Sequence, residues 1–136
     1  MSKVKKQEEG MVGLVFVSHI RELSEGVIAL ARLVGPDVPM EGAGGLEDGS
    51  AGTDMERIAM AIEAADQGKG VLIFMDLGSA VLSTEMALEL NPNPTHIMVD
   101  APFVESAIVA AAAAQGGAST EEILALIESQ KDVKKF

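Results

Sequence analysis

The sequence predicts an α/β fold: an open three-layer sandwich with a mainly parallel central sheet of four to five strands and helices on both faces. Three observations carry that reading. Brief runs of continuous Val, Leu, Ile and Phe recur along the chain and end at turn residues. Their apolarity is continuous rather than alternating, the mark of strands buried on both faces. Amphipathic segments separate one run from the next, as right-handed crossovers between parallel strands require.

The elements follow in order. Residues 1–10 (MSKVKKQEEG) are charged and without period, a flexible N-terminal extension with nothing to bury, and a single domain is expected over 11–136. The first strand covers about 12–18, and a helix follows to about Val34, closed by Gly35 and Pro36. A short strand near 37–42 leads into a glycine-rich loop, Gly42 to Gly52. Thr53-Asp54-Met55-Glu56 has capping-box spacing, so Thr53 is expected to cap the second helix. Gly68 and Gly70 precede the third strand, Val71 to Asp76, and a helix from Gly78 or Ser79 to Leu90 stops at Asn91-Pro92-Asn93-Pro94. The fourth strand is His96 to Val99. An Ala-rich helix over about 103–115 and a last helix, capped at Ser119-Thr120-Glu121-Glu122 and running to about Gln130, complete the chain.

Composition narrows the chemistry. There is no cysteine, which excludes disulfides, thiolate metal sites and Cys nucleophiles. Two histidines are too few to predict a metal centre. A net charge of −11 repels phosphate backbones, so no nucleic-acid partner is expected, whereas a basic protein partner suits this field. The longest apolar stretch, near Ala107 to Ala114, is far short of the roughly 20 residues that span a bilayer. With no signal-like opening, no membrane association and a cytoplasmic location are the expectation.

Three polar features fall at carboxyl ends of strands: His19 after the first, the glycine loop after the second and Asp76 after the third. In an open parallel sheet those ends share one edge, where ligands bind. A carboxylate bonded to one imidazole nitrogen leaves the other free as a nucleophile, and backbone N–H groups of glycine turns and helix N-termini receive phosphate. Together these parts suggest phosphoryl transfer through a phosphohistidine. Plainer roles stay open at this point: a hydrogen-bonded structural histidine, Asp76 as a helix cap, and the glycine loop as a flexible turn. His96 opens its strand at the opposite edge and reads as structural. Ser18 and Ser79 lie outside any G-x-S-x-G context, which argues against a serine hydrolase. Asp76-Leu77-Gly78 also suits a receiver domain. That fold needs acids after the first strand and a lysine after the last, where this chain has Ser18-His19 and Val99-Asp100-Ala101-Pro102.

Val17-Ser18-His19 with Leu23-Ser24-Glu25-Gly26-Val27 resembles the mannose-type EIIA domains of the bacterial sugar phosphotransferase system. The segments Ala43-Gly44-Gly45, Asp48-Gly49, Gly52-Thr53, Asp76-Leu77-Gly78-Ser79-Ala80, Glu85-Met86-Ala87 and Asp100-Ala101-Pro102-Phe103-Val104-Glu105 are similar more closely to the phosphotransfer subunits of phosphoenolpyruvate-dependent dihydroxyacetone kinases. The resemblance covers about residues 11–116. It implies that His19 is phosphorylated and that Asp76 orients its imidazole. The phosphate is then expected against N–H groups at the starts of the first and third helices, with Gly78 and Ser79 the foremost donors, and from their position Gly44, Gly45 and Thr53 lie in a loop that docks a partner or touches phosphate. It further implies a cycle in which HPr, charged by enzyme I from phosphoenolpyruvate, passes its phosphoryl group to His19, and His19 passes it to ADP on the nucleotide-binding subunit. No cofactor is then expected on this chain, with ADP and magnesium on the partner subunit, and the chain is expected to form a homodimer. Where relatives often carry a small polar residue after the histidine, this chain has Ile20, which removes any side-chain hydrogen bond there. Two alternatives are an EIIA domain serving a mannose-type sugar permease and a non-catalytic regulatory module of the same fold.

Overall fold

A computed structural model of the chain describes residues 10–136; the extension expected at residues 1–10 falls, Gly10 aside, outside the described residues. The elements run β1 (Gly13–Ser18), α1 (Arg21–Ala31), β2 (Met40–Gly44), α2 (Met55–Ala65), β3 (Val71–Met75), α3 (Gly78–Leu90), β4 (His96–Val99), α4 (Phe103–Gln115) and α5 (Thr120–Gln130). The sheet has four strands in the order β2-β1-β3-β4, and every pairing is parallel. Four strands therefore suffice where four to five were expected, and the predicted three-layer α/β class is the one observed.

Alternation along the buried strands sorts the core into two layers. Leu14 and Phe16 of β1 and Leu72 and Phe74 of β3 face α1, α4 and α5, where they meet Val27, Ala107, Ala111 and Ile123. Phe16 stacks on Phe74 with ring centroids 5.1 Å apart, and Phe103 meets Phe16 edge-on at 6.0 Å. Val15, Val17, Val71 and Ile73 point the other way, onto Ile58, Ala61, Ile62, Ala80 and Ala87 of α2 and α3. The helix after β1 thus covers one face and the helix after β3 the other, which opens a crevice between the carboxyl ends of these neighbouring strands.

Three local expectations change. Asp54, not Thr53, caps α2, its carboxylate accepting from the Glu56 amide at 2.9 Å, while the Thr53 hydroxyl lies 2.7 Å from Ser83 Oγ on α3. An aspartate one residue nearer the helix serves the same orphan donors. The α1 helix ends at Ala31 because the chain tightens into turns there, with Leu33 and Val34 amides bonding carbonyls three residues back. Strand β2 begins after Pro39, whose carbonyl accepts from Leu14, and extends through Gly44 into the stretch expected to be loop. The reason is packing: a Cβ on Gly42 would lie 3.0 Å from Ser24 Oγ, and one on Gly44 would lie 2.8 Å from Arg21 Cα. These glycines let α1 lie directly on the strand.

The His96 side chain is enclosed at the amino edge of β4 with its Nε2 2.7 Å from Asp66 Oδ2, a contact that fits the structural role expected of it. That bond and the Gly68 amide hold the Asp66 carboxyl below its ordinary value of 3.8. Among the described residues no helix is long and apolar enough to cross a membrane. Gly13 is the tightest contact in the sheet: a Cβ there would lie 2.8 Å from the carbonyl carbon of Ala65 at the end of α2. Gly13→Ala is expected to lower stability by about 1–3 kcal/mol through overpacking, read as a lower urea midpoint at unchanged slope.

Candidate functional site

The site is built where β1 and β3 end side by side. Val17 pairs with Met75 in register, and the Asp76 amide donates to the Val17 carbonyl at 3.1 Å, so the residues that follow each strand face one another. Asp76 Oδ1 is 2.9 Å from His19 Nδ1 and accepts from the Leu77 amide at 2.7 Å. Its Oδ2 accepts from the His19 amide at 3.0 Å and from the Ser18 hydroxyl at 2.9 Å. Ser18 is fully buried, and its Oγ also accepts from the Ile20 amide at 3.0 Å. One carboxylate thus binds both the backbone and the ring of the histidine.

An ionised carboxylate only accepts, so His19 Nδ1 carries a ring proton, and in the neutral imidazole the lone pair is on Nε2. Nε2 meets the hydroxyl of Ser79 in the first turn of α3. The amides of Gly78 and Ser79 belong to that first turn, whose N–H groups have no intrahelical acceptor and favour an anion. The His19 side chain is 25% exposed and Asp76 only 10%, so the imidazole can be reached while the carboxylate bonded to it is enclosed. Burial pushes the Asp76 carboxyl up, but the bonds from the His19 amide, the His19 ring, Ser18 and Leu77 outweigh it and leave the group below 3.8.

The glycine loop lies behind the histidine. The Gly45 amide donates to the Ser18 carbonyl at 3.0 Å and the Gly52 amide to the His19 carbonyl at 2.9 Å. Gly45 has φ 68°, and Gly52 has φ 141°, which only glycine adopts without strain. The loop closes on itself through Leu46 N to Ser50 O at 2.9 Å and through Asp48 Oδ1, which accepts from the Ser50 amide and hydroxyl at 2.9 and 2.6 Å.

His19, Asp76 and Ser79 therefore meet, and Gly78 adjoins them in the chain. Gly45 touches the site through the backbone of Ser18, Gly44 packs under α1, and Thr53 bonds α3 through Ser83. The sequence reading missed two contributors, Ser18 as a bridge to Asp76 and Gly52 as the donor to His19. The position of Ser18, at a strand end beside the histidine, was the available signal for the first. Gly52 carried none beyond its residue type.

A family profile described as the PTS system fructose IIA component (EIIA-man) matches residues 13–124. The chain belongs to that family. It is 34% identical over 116 residues to the PTS-dependent dihydroxyacetone kinase phosphotransferase subunit DhaM of Lactococcus lactis, covering 85% of this chain and 93% of that one. It is 37% identical over 118 residues to a PEP-dependent dihydroxyacetone kinase phosphoryl donor subunit DhaM of Listeria innocua, covering 84% and 94%. A further DhaM, from Providencia stuartii, is 40% identical over 122 residues, which is 84% of this chain but 25% of that protein, so the chain spans about a quarter of that relative. A crystal structure of a protein of unknown function superposes with a TM-score of 0.81 at 32% identity, covering 93% of this chain and 98% of the other.

The depressed Asp76 carboxyl carries a sign. A group whose pKa falls on folding adds stability above its unfolded value and loses it as pH drops through the folded one. Asp76→Asn is expected to be about 1–3 kcal/mol less stable than wild type at pH 7, because donors are left facing an amide N–H₂. That gap should close as pH falls below 3.8, the ordinary aspartate value, and urea midpoints at successive pH values read it.

Proposed function

We propose that the chain is a phosphohistidine carrier for dihydroxyacetone phosphorylation, accepting from HPr and donating to ADP on the nucleotide-binding subunit. The observation that carries this reading is the single imidazole whose Nδ1–H is bound by Asp76 while Nε2 opens onto the first turn of α3 at Ser79. In the forward step the lone pair of Nε2 attacks phosphorus as the P–N bond of the donor breaks, and the donor leaves with the electron pair. The proton stays on Nδ1, hydrogen-bonded to the Asp76 carboxylate, which stabilises the positive charge that forms on the ring. In the return step the terminal oxygen of ADP attacks phosphorus, the Nε2–P bond breaks and the imidazole recovers its lone pair. Such transfers rest on positioning and electrostatics, and the Gly78 and Ser79 amides with the Ser79 hydroxyl are the donors for the phosphoryl oxygens.

The named phosphoryl donor and phosphotransferase subunits of similar length support the dihydroxyacetone kinase assignment. No nucleotide, magnesium or other cofactor is required on this chain for either step, and the protein works as a homodimer. The sugar-component description of the family profile favours a second acceptor, a mannose-type permease.

The test is incubation with phosphoenolpyruvate, enzyme I and HPr, followed by intact mass. Wild type is expected to gain one phosphoryl group, labile in acid and stable in base, and His19→Ala none. Wild type that stays unmodified beside phosphorylated HPr overturns the carrier reading, and an adduct released by hydroxylamine moves the site to Asp76. Adding the nucleotide-binding subunit with ADP should drain the label and yield ATP. Drainage by a mannose-type permease instead supports the second reading.

A further inference from the structure

We infer that Arg21 and Arg57 are positioning residues that clamp the glycine loop from opposite faces of the sheet and so hold the backbone of His19 in place for transfer. Arg21, the first residue of α1, donates from Nη2 to the carbonyls of Leu46 at 3.1 Å and Glu47 at 3.2 Å. Arg57, in the first turn of α2, donates from Nη2 to the Gly44 carbonyl at 3.2 Å. The two helices lie on different core layers, so the loop is gripped from both sides.

The partners of these arginines are unexpected for their surroundings. The chain carries 21 carboxylates and three arginines. Yet among the described residues no arginine forms an ion pair. Arg57 keeps its place although its Nε is buried without a hydrogen-bond partner among the described residues. A surface charge bought only for solubility would turn to a carboxylate or to water. A guanidinium that instead ends on backbone carbonyls fixes those carbonyls.

What the loop does with that rigidity is specific. Its Gly45 and Gly52 amides bond the carbonyls of Ser18 and His19, at 3.0 and 2.9 Å. Asp76 holds the His19 amide and ring from the other side. The peptide group before the histidine is therefore held from both sides, by Asp76 and by Gly45, and the one after it by Gly52 and by Ser18 Oγ on the Ile20 amide. Releasing the loop leaves the Asp76 contacts intact but lets the His19 carbonyl side move, and small displacements of a nucleophile cost rate steeply.

This inference rests on the carrier reading, and the experiment separates the two. Arg57→Met and Arg21→Met are compared with Arg57→Lys and Arg21→Lys, which restore a donor. Amide hydrogen exchange is followed by NMR at Gly45, Gly52 and, as a control in β3, Ile73. Phosphorylation of His19 is timed with HPr and with phosphoramidate, a small donor that needs no docking. In each Met variant Gly45 and Gly52 are expected to exchange about tenfold faster or more with Ile73 unchanged. Phosphorylation should slow roughly tenfold with both donors, and the Lys variants should recover most of the loss. Unchanged exchange and rates in both Met variants overturn the clamp, as does acceleration at Ile73 equal to that at the glycines, which marks general destabilisation. Wild type that takes no phosphoryl group from either donor removes the carrier reading instead, and the exchange measurements alone then decide the clamp. Should one Met variant fail to fold, the other carries the same test.

Discussion

Asp76 is one carboxylate with four donors, and the site depends on it. Its two oxygens receive the His19 ring, the His19 amide, the Ser18 hydroxyl and the Leu77 amide. A carboxylate so occupied stays ionised, and an ionised carboxylate beside an imidazole fixes which nitrogen is free. The same group joins the end of β1 to the start of α3, so the imidazole and the helix terminus facing it are set by one anchor. Removing the negative charge loosens both.

The parallel sheet makes that anchor possible. Because β1 and β3 are neighbours with their helices on opposite faces, their carboxyl ends form a crevice into which both chains turn. The apolar runs of β1 and β3, buried on both faces, form the floor of this crevice. Without side chains at Gly42 and Gly44, α1 lies close on the sheet, and its first residue reaches the loop that backs His19.

How much of this could be read from residues alone varied with the range of the interaction. The strands β1 and β3 and the helix α5 were predictable nearly to the residue, since burial on both faces and the Ser119–Glu122 capping box are local signals. The bounds of α1 and β2 were not. Glycine reads as loop by propensity, yet at Gly42 and Gly44 it marks the close approach of a helix, which depends on what lies across the sheet. The cap of α2 moved by one residue for a similar reason, because Thr53 was taken by Ser83, thirty residues away. The meeting of His19, Asp76 and Ser79 could be anticipated because each sits at a strand or helix end on one edge of the sheet. Gly52 bonds through its own amide, and the two arginines end on backbone carbonyls, partners that carry no residue-specific signature.

The sequence by itself determined the fold class, the strand ends and the residue types available there: one accessible imidazole, one carboxylate, a hydroxyl and no thiol. It did so because burial and helix capping are written in local periodicity. Only the tertiary structure decided that Asp76 meets Nδ1 rather than Nε2, that Ser79 faces the free nitrogen and that the glycine loop supports the His19 carbonyl. Those choices are made by strand register and helix packing between segments some thirty to sixty residues apart, where a shift of one residue would place the same side chains on the wrong face.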